Sequence, residues 1–496
     1  MNDMVDIRRL PTGVPGLDAI LGGGLPELSL NLIAGPPGSG KTTLAHQIMF
    51  ALATSERPAL FITVLGEPPL KMLRYQQQFS FFDQDKIDKA IRFVNLSEEV
   101  AMGDFDRVLE RIMQELRASS PALVFIDSFR SVMLEVALQP ALGRTQQQFV
   151  QQLGTQLSSW QATTFLIGEY PSQDDKHPIF TVADGLITLQ QSVHRNSMVR
   201  KIQILKLRGQ ATSPGVHTFR ITGNGIEVFP SPVVRDDPVF PAVASPPPRR
   251  DRRLSLGVEH LDDLLGGGLP EGFSLLVAGS SGSGKTILAT AFLSEGVRCG
   301  EPGILVAFEQ TPSQSWSRTV DDMVRAGSIG LINTRSLDLS IDEIVQHLVG
   351  LIHRMKARRV VIDSLSGFEL AVASTFREDF RESLFRMVAA LSGLGVTVLL
   401  TSELEDRYTD LRFSPYGSAF LTDAIIVLRY IEINSRLKRV MAVVKVRDSA
   451  HSDEIRQFEI VDAKIRIGAV VLDYEGLLAG SPKRLQNSGP PIETAP

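Results

Sequence analysis

Cysteine is nearly absent from this chain: Cys299 is the single one among 496 residues, so an intrachain disulfide is unavailable and a disulfide-stapled fold is excluded. An excess of charge of either sign is missing as well. Lysine and arginine number 51 against 56 aspartates and glutamates, a net −5, too mild to mark a nucleic-acid coat or a membrane-surface protein. No apolar run approaches the roughly 20 residues that span a bilayer. The opening MNDMVDIRRL also lacks the apolar core of a signal peptide. A soluble, cytoplasmic protein is the expectation. What is present is ordinary for a folded chain: 43% apolar and 22% charged residues exclude general disorder and collagen-like repeats. The length leaves room for about two to four domains.

The chain is written twice. GVPGLDAILGGGLP at Gly13 to Pro26 and GPPGSGKTT at Gly35 to Thr43 return as GVEHLDDLLGGGLP at Gly257 to Pro270 and GSSGSGKT at Gly279 to Thr286, with an offset of 244 at the lysines. LVFIDS, ending at Ser128, pairs with VVIDS, ending at Ser364, at an offset of 236. VADGLITL at Val182 pairs with LTDAIIVL at Leu421, and KLRG at Lys206 with KVRD at Lys445, both at 239. Offsets this steady mean that a whole domain has been duplicated, not a short solenoid unit.

Between the copies, Pro230 to Arg250 holds seven prolines in 21 residues, the composition of an extended spacer. The expected division is a first domain over 1–230, a linker over 231–252, a second domain over 253–480 and a flexible tail over 481–496. RRDRR at Arg249 to Arg253 is a small basic patch, but with one acid among five residues it neutralises few phosphates, so a solvated linker end is expected. Within each copy, short runs such as LSLNLIAG, PALVFID and FSLLVAG alternate with amphipathic stretches. Strands this continuously apolar are buried on both faces, which predicts an α/β domain with a mostly parallel central sheet flanked by helices. KIQILKL with HTFRIT, and VMAVVKV with RQFEIV, read as antiparallel strands appended at one edge.

G-x-x-x-x-G-K-[ST] occurs at Gly35 to Thr42 and at Gly279 to Thr286, each after a strand-like and before a helix-like run. Glycines there let backbone amides surround phosphate, and the helix N-terminus adds partial positive charge. The predicted nucleotide-binding residues are Gly35, Gly38, Ser39, Gly40, Lys41, Thr42 and Thr43, with Gly279, Gly282, Ser283, Gly284, Lys285, Thr286 and Ile287 in the second copy. The hydroxyls of Thr42 and Thr286 are expected on Mg²⁺, with Asp127 and Asp363 as carboxylates at neighbouring strand ends. The alternative for the aspartates is a helix cap. A general base belongs at the end of the strand after the P-loop helix. Glu309 fills it in the second copy, followed by Gln310; the first offers Leu65 and Gly66, with Glu67 one residue late, either a displaced base or a solvated loop acid. Arg200, Lys206 and Arg208, and in register Arg439, Lys445 and Arg447, form basic clusters on strands. Lysine and arginine two apart project from one face, which leaves two readings open: fingers delivered to a neighbour's nucleotide, or a solvated edge strand.

Together these residues resemble the KaiC family of RecA-like ATPases, over residues 10 to about 483. Tandem openings, GVPGLD and GVEHLD each followed by GGGLP, two P-loops, IDS strand ends, FEQTP, LTDAIIVLRY, the K-x-R fingers and the closing GSP carry the resemblance. It implies tandem RecA-like P-loop domains, a homohexameric double ring and ATP with Mg²⁺ bound between subunits. Lys206, Leu207, Arg208 and Thr222 would then contact nucleotide held by a neighbour's Lys41, and Arg439, Lys445, Val446, Arg447, Ser449 and His451 that held by Lys285.

Departures from the family pattern are informative. Its catalytic Glu-Glu pair becomes Glu309–Gln310 in the second copy and Leu65–Gly66 in the first, so the first domain should hydrolyse poorly. The Ser-Thr pair that clock members autophosphorylate aligns with Ala419 and Phe420, leaving Ser414, Ser418 and Thr422 as nearby hydroxyls. The expected function is an oligomeric ATPase that switches with nucleotide state and signals to a partner. The short tail argues against a KaiA-like partner and leaves a KaiB-like one open. Alternatives are an autokinase using a hydroxyl such as Ser418, a nucleotide-locked structural ring, and a DNA recombinase. The last is disfavoured because SQDDKHPIF and LEDRYTDLRF mix charge signs.

Overall fold

The Val-, Ile-, Leu- and Phe-rich runs become the inner strands of two nine-stranded sheets, one in each half of the chain. The chain divides between Val233 and Val234 into two units. This computed structural model describes residues 7–64, 69–101, 105–137, 146–170, 178–194, 197–231, 252–308, 318–333, 340–371, 380–404, 421–472, 474–478 and 482–484. Most of the proline-rich linker and of the tail lies outside them.

The first unit contains β1 (Leu30–Ala34), β2 (Ala59–Thr63), β3 (Ile91–Asn95), β4 (Leu123–Asp127), β5 (Thr163–Gly168), β6 (Gly185–His194), β7 (Ser197–Leu207), β8 (His217–Thr222) and β9 (Gly225–Phe229). Their order is β9-β8-β7-β6-β1-β5-β4-β2-β3. β3 through β6 pair in parallel, and β6 to β9 are antiparallel. Helices α1 (Lys41–Leu52), α2 (Phe105–Ser119) and α3 (Gln146–Ser159) cover the sheet. Alternate strand residues serve two cores. Leu32, Ile62 and Ile126 pack with Ile112 of α2 and Leu153 of α3, whereas Ile33, Phe61 and Phe125 pack with Leu44 and Ile48 of α1. Burial on both faces is why these strands read as unbroken apolar runs.

The second unit repeats the plan with β10 (Ser274–Gly279), β11 (Gly303–Ala307), β12 (Ile329–Asn333), β13 (Arg359–Asp363), β14 (Thr397–Glu403), β15 (Ala424–Ile433), β16 (Arg436–Val446), β17 (Arg456–Val461) and β18 (Lys464–Val470). The order is β18-β17-β16-β15-β10-β14-β13-β11-β12. Helix α4 (Lys285–Arg298) lines one core, while α5 (Ile341–Met355) and α6 (Phe380–Gly393) line the other. Among the described residues no helix is long and apolar enough to cross a membrane.

An ion-pair network ties the entry of the second unit to its sheet. Arg359, 1% exposed, bonds Glu301 Oε2 at 2.8 and 2.9 Å and donates to the carbonyls of Ser255 and Phe292. Arg252 pairs with Glu301 and Glu271, and Arg358 with Glu271 at 2.9 Å. Arg253 donates to Leu265 O, Gly268 O and Ser449 Oγ. The last two arginines of the RRDRR run are therefore bonded into the unit, Arg253 partly buried and Arg252 still exposed at its surface as the composition suggested.

A β-bulge corrects the reading of the basic clusters. Leu186 faces Lys206 but Ile187 faces Ile204, leaving Leu205 extra; likewise Ile425 faces Lys445 and Ile426 faces Val443, leaving Val444 extra. A bulge offsets the alternation of side chains. Arg200, opposite Gln191, consequently lies on the α1 side of its sheet, while Lys206 lies with Leu186 on the α2–α3 side. Arg439 and Lys445 separate in the same way. Arg208 and Arg447 are beyond the ends of β7 and β16, so they are turn residues and not strand neighbours of the lysines.

Candidate phosphate-binding sites

Gly35–Thr42 joins β1 to α1, and Gly279–Thr286 joins β10 to α4. Gly38 and Gly40 hold φ of 73° and 100°, and Gly282 and Gly284 hold 75° and 107°, a left-handed region that favours glycine. A Cβ at Gly35 would lie 2.2 Å from Leu189 O. Each loop ends at the N-terminus of a long helix, of 12 residues in α1 and 14 in α4, where unpaired amides and the dipole favour an anion.

The side chains fit phosphate and Mg²⁺. The hydroxyls of Ser39 and Ser283 are buried without a hydrogen-bond partner, donors that a phosphate oxygen would satisfy. Lys41 Nζ donates to Pro36 O at 2.8 Å. Lys285 Nζ donates to Gly279 O and Ser280 O, each at 2.8 Å. Burial lowers the pKa of both lysines; Glu169 and Asp127 oppose it at Lys41, Glu403 and Asp363 at Lys285. Thr42 Oγ1 donates to Asp127 at 2.7 Å, and Thr286 Oγ1 to Asp363 at 2.8 Å. The structure thus joins each predicted hydroxyl–carboxylate pair across 85 and 77 residues of chain. Among the described residues no three His, Cys, Asp or Glu side chains converge as a metal cluster. One carboxylate, one hydroxyl and phosphate oxygens suit Mg²⁺, which keeps much of its coordination for waters and substrate.

The two sites differ in how the aspartate is held. Thr401 Oγ1 also donates to Asp363, whereas Ile167 stands in register with Asp127. Burial pushes the Asp127 carboxyl up to about 6; the Thr42 hydroxyl and Lys41 oppose the shift, and Glu169 adds to it. Behind the first loop, His46 ties Nδ1 to Thr42 O at 2.8 Å and stacks on Phe61 at 4.6 Å. Its burial lowers the imidazole to about 4, with the Thr42 carbonyl opposing. Thr290 performs the same tie to Thr286 O in the second unit.

Glu169 and Glu403 escaped the sequence reading. Each follows or ends the strand beside the P-loop strand, with Glu403 in register with Gly279, and each acts electrostatically on its P-loop lysine. Their signal was available: TTFLIGE and VTVLLTSE both close on glutamate. Glu67, Glu309, Gln310, Ser414, Ser418, Ala419 and Phe420 lie outside the described residues.

The residues predicted to be fingers are assembled away from their own P-loops. Lys206 Nζ donates to Ala183 O at 2.6 Å, and Lys445 Nζ to Thr422 O at 2.7 Å. Burial lowers both lysines, each neighbouring arginine adding to the shift and the aspartate opposing it. Arg208 pairs with Asp184 and Arg447 with Asp423, each at 3.0 Å. The same aspartates accept from Leu30 N and Ser274 N, at the N-terminal ends of β1 and β10. Fingers and P-loop therefore sit at opposite ends of one strand, about 17 to 20 Å apart at 3.3 Å per residue. Thr222 is exposed and accepts from Asn224 N, Ser449 accepts from Arg253, and His451 Nδ1 lies 3.0 Å from Ser452 O. Val446 is buried and Leu207 packs on the core, so both offer backbone rather than side chain.

A family profile described as "ATPase: KaiC" matches residues 10–233 and 254–470. The circadian clock oscillator protein KaiC of a Picosynechococcus species is 29% identical, over 97% of this chain and 93% of that protein. Circadian clock oscillator protein KaiC 1 of a Synechocystis species is 28% identical over 97% and 92%, and KaiC of Prochlorococcus marinus 26% over 97% of both chains. With both repeats matched and two P-loops built on one plan, this chain belongs to the KaiC family of ATPases.

Proposed function

We propose that the chain forms a homohexameric double ring in the cytoplasm, each P-loop holding ATP that the neighbouring subunit's fingers contact. Lys206 and Arg208 would serve the first tier, and Lys445 and Arg447 the second. The observation that carries this reading is the placement of each finger pair a strand's length from its own P-loop, braced in both units by an aspartate. Such a pair is ordered yet out of reach of its own phosphates. Thr42 with Asp127, and Thr286 with Asp363, would hold Mg²⁺, which supplies charge neutralisation at the phosphates. Glu309 is assigned the orientation and deprotonation of water in the second tier, with Glu403 beside Lys285 adding negative charge that keeps the lysine protonated. Glu67 is the counterpart in a slower first tier. Ala419 and Phe420 accept no phosphoryl group, so the output is a nucleotide-dependent change of ring conformation read by a protein partner, a KaiB-like one being the candidate.

Light scattering, phosphate release and phosphopeptide mass spectrometry on the purified chain with Mg-ATP test this. The expected result is a mass of six chains, steady hydrolysis, no phosphopeptide from residues 412–430, and a turnover about 100-fold lower in Glu309→Gln. A monomer under these conditions refutes the ring, unchanged turnover refutes Glu309 as base, and phosphate on Ser418 moves the reading to an autokinase.

A further inference from the structure

The hairpin of β15 and β16 touches its own P-loop through a residue outside the P-loop motif. Tyr430 on β15 donates its hydroxyl to Gly282 O at 2.6 Å. In the first unit Gln191 on β6 donates Nε2 to Pro37 O at 3.1 Å. The two positions are 239 apart, the offset that also relates Lys206 to Lys445. Each stands directly opposite an arginine, Tyr430 facing Arg439 and Gln191 facing Arg200. The Arg439 guanidinium lies 5.0 Å over the Tyr430 ring, and Nε of both arginines is buried and unpartnered. A Cβ on Gly282 would meet Tyr430 Oη at 3.2 Å, and one on Gly38 would meet Gln191 Nε2 at 3.4 Å, so the contact is close in both units.

In a trans peptide, a carbonyl and the following N–H point in opposite directions. A donor that holds the Pro37 carbonyl toward the hairpin therefore turns the amide of Gly38 toward the loop interior, where a phosphate would sit. Gly282 lies one position further along the repeat, and there the following amide, Ser283 N, donates to Ser280 O at 3.2 Å, so Tyr430 braces the turn that this bond closes. Glycine-rich loops lose much conformational freedom when ordered, and a tether made in advance reduces that cost on binding. We propose that Tyr430 and Gln191 are positioning residues that pin the outer side of each P-loop to its hairpin and pre-set it for phosphate. Tyr430 holds more firmly because Arg439 stacks on its ring. This inference rests on the P-loops being nucleotide sites. It also anchors each P-loop to the two strands whose far end carries the finger pair.

Calorimetric titration of the full chain with a slowly hydrolysed Mg-ATP analogue tests it. The wild type should show two classes of site. Tyr430→Phe should weaken one class about three- to tenfold and Gln191→Leu the other about threefold, as expected for one exposed hydrogen bond. Melting temperatures of the nucleotide-free proteins should stay unchanged, and KM should rise by the same factor with kcat unaltered. Tyr430→Gln, which copies the first unit's donor, should recover part of the loss. Wild-type affinity in both variants overturns the positioning role, as does a fall in kcat or melting temperature at constant KM. A wild type that binds no nucleotide overturns instead the reading of the P-loops on which the inference rests.

Discussion

Replacing Asp127 with asparagine should stabilise the nucleotide-free first unit, and by an amount that grows with pH. The carboxyl is buried, and its pKa rises from 3.8 to about 6. An acid raised in this way favours folding fully below pH 3.8, and that contribution is lost as pH rises through about 6. At 1.36 kcal/mol per pKa unit the ionised carboxylate costs the unit about 3 kcal/mol at neutral pH. Between pH 5 and pH 8 the advantage of the asparagine variant should therefore widen by about 1 to 2 kcal/mol. Urea unfolding without nucleotide or Mg²⁺ measures it. With Trp316 changed to Phe, fluorescence reports Trp160, which packs on a core of the first unit. The midpoint difference should grow by about 0.5 M urea for a slope near 3 kcal/mol/M. Comparing the two proteins at each pH cancels the other titrating groups, His46 included. Parallel pH dependence in both proteins would refute the reasoning that ionising the buried Asp127 costs the first unit stability. The same variant should lose Mg²⁺-dependent nucleotide binding at the first site, since the group that costs stability is the one that would meet the metal.

His46 has the opposite sign. Its pKa falls from 6.5 to about 4 on burial, so its contribution is present above pH 6.5 and about 3 kcal/mol is lost as pH falls toward 4; His46→Thr, copying Thr290, should remove that loss in acid unfolding curves. Glu301→Gln should destabilise the second unit by about 3–5 kcal/mol, because it leaves the buried Arg359 without its counter-charge, and a Glu301→Leu/Arg359→Met pair should recover most of it in urea unfolding of the full chain followed by far-UV circular dichroism. Mixing Arg447→Ala with Lys285→Ala subunits should restore part of the ATPase activity that each lacks alone; no restoration over a range of mixing ratios would argue against fingers acting across subunits.

Much of the architecture was legible in the sequence. Strands buried on both faces leave unbroken apolar runs, and a P-loop leaves glycines at fixed spacing because only glycine takes its left-handed turns. Duplication made each reading a double one. Thr42 and Asp127 could be paired on paper because an acid that ends an apolar strand in the same sheet as a P-loop strand is costly to bury without a partner, although the two strands turn out to be separated by β5. Glu169 and Glu403 were missed because a glutamate after an apolar strand looks like any solvated strand end until the neighbouring strand is known.

The sequence by itself determined the two domains, the parallel sheets and the two glycine-rich loops, since each depends on periodicity or on spacing within a motif; it only proposed the hydroxyl–carboxylate pairs, which the fold closed across 85 and 77 residues. Only the tertiary structure decided which basic residues share a face of the sheet. A single extra residue, Leu205 or Val444, puts Arg200 and Arg439 on the face opposite Lys206 and Lys445. A bulge is a property of pairing between two strands and leaves no mark in either strand alone. Tertiary structure likewise carried Lys206 and Arg208 to the far end of β1 and brought Gln191 and Tyr430 onto the P-loops. It did so because hydrogen bonds between distant strands, and not spacing along the chain, set which ends meet.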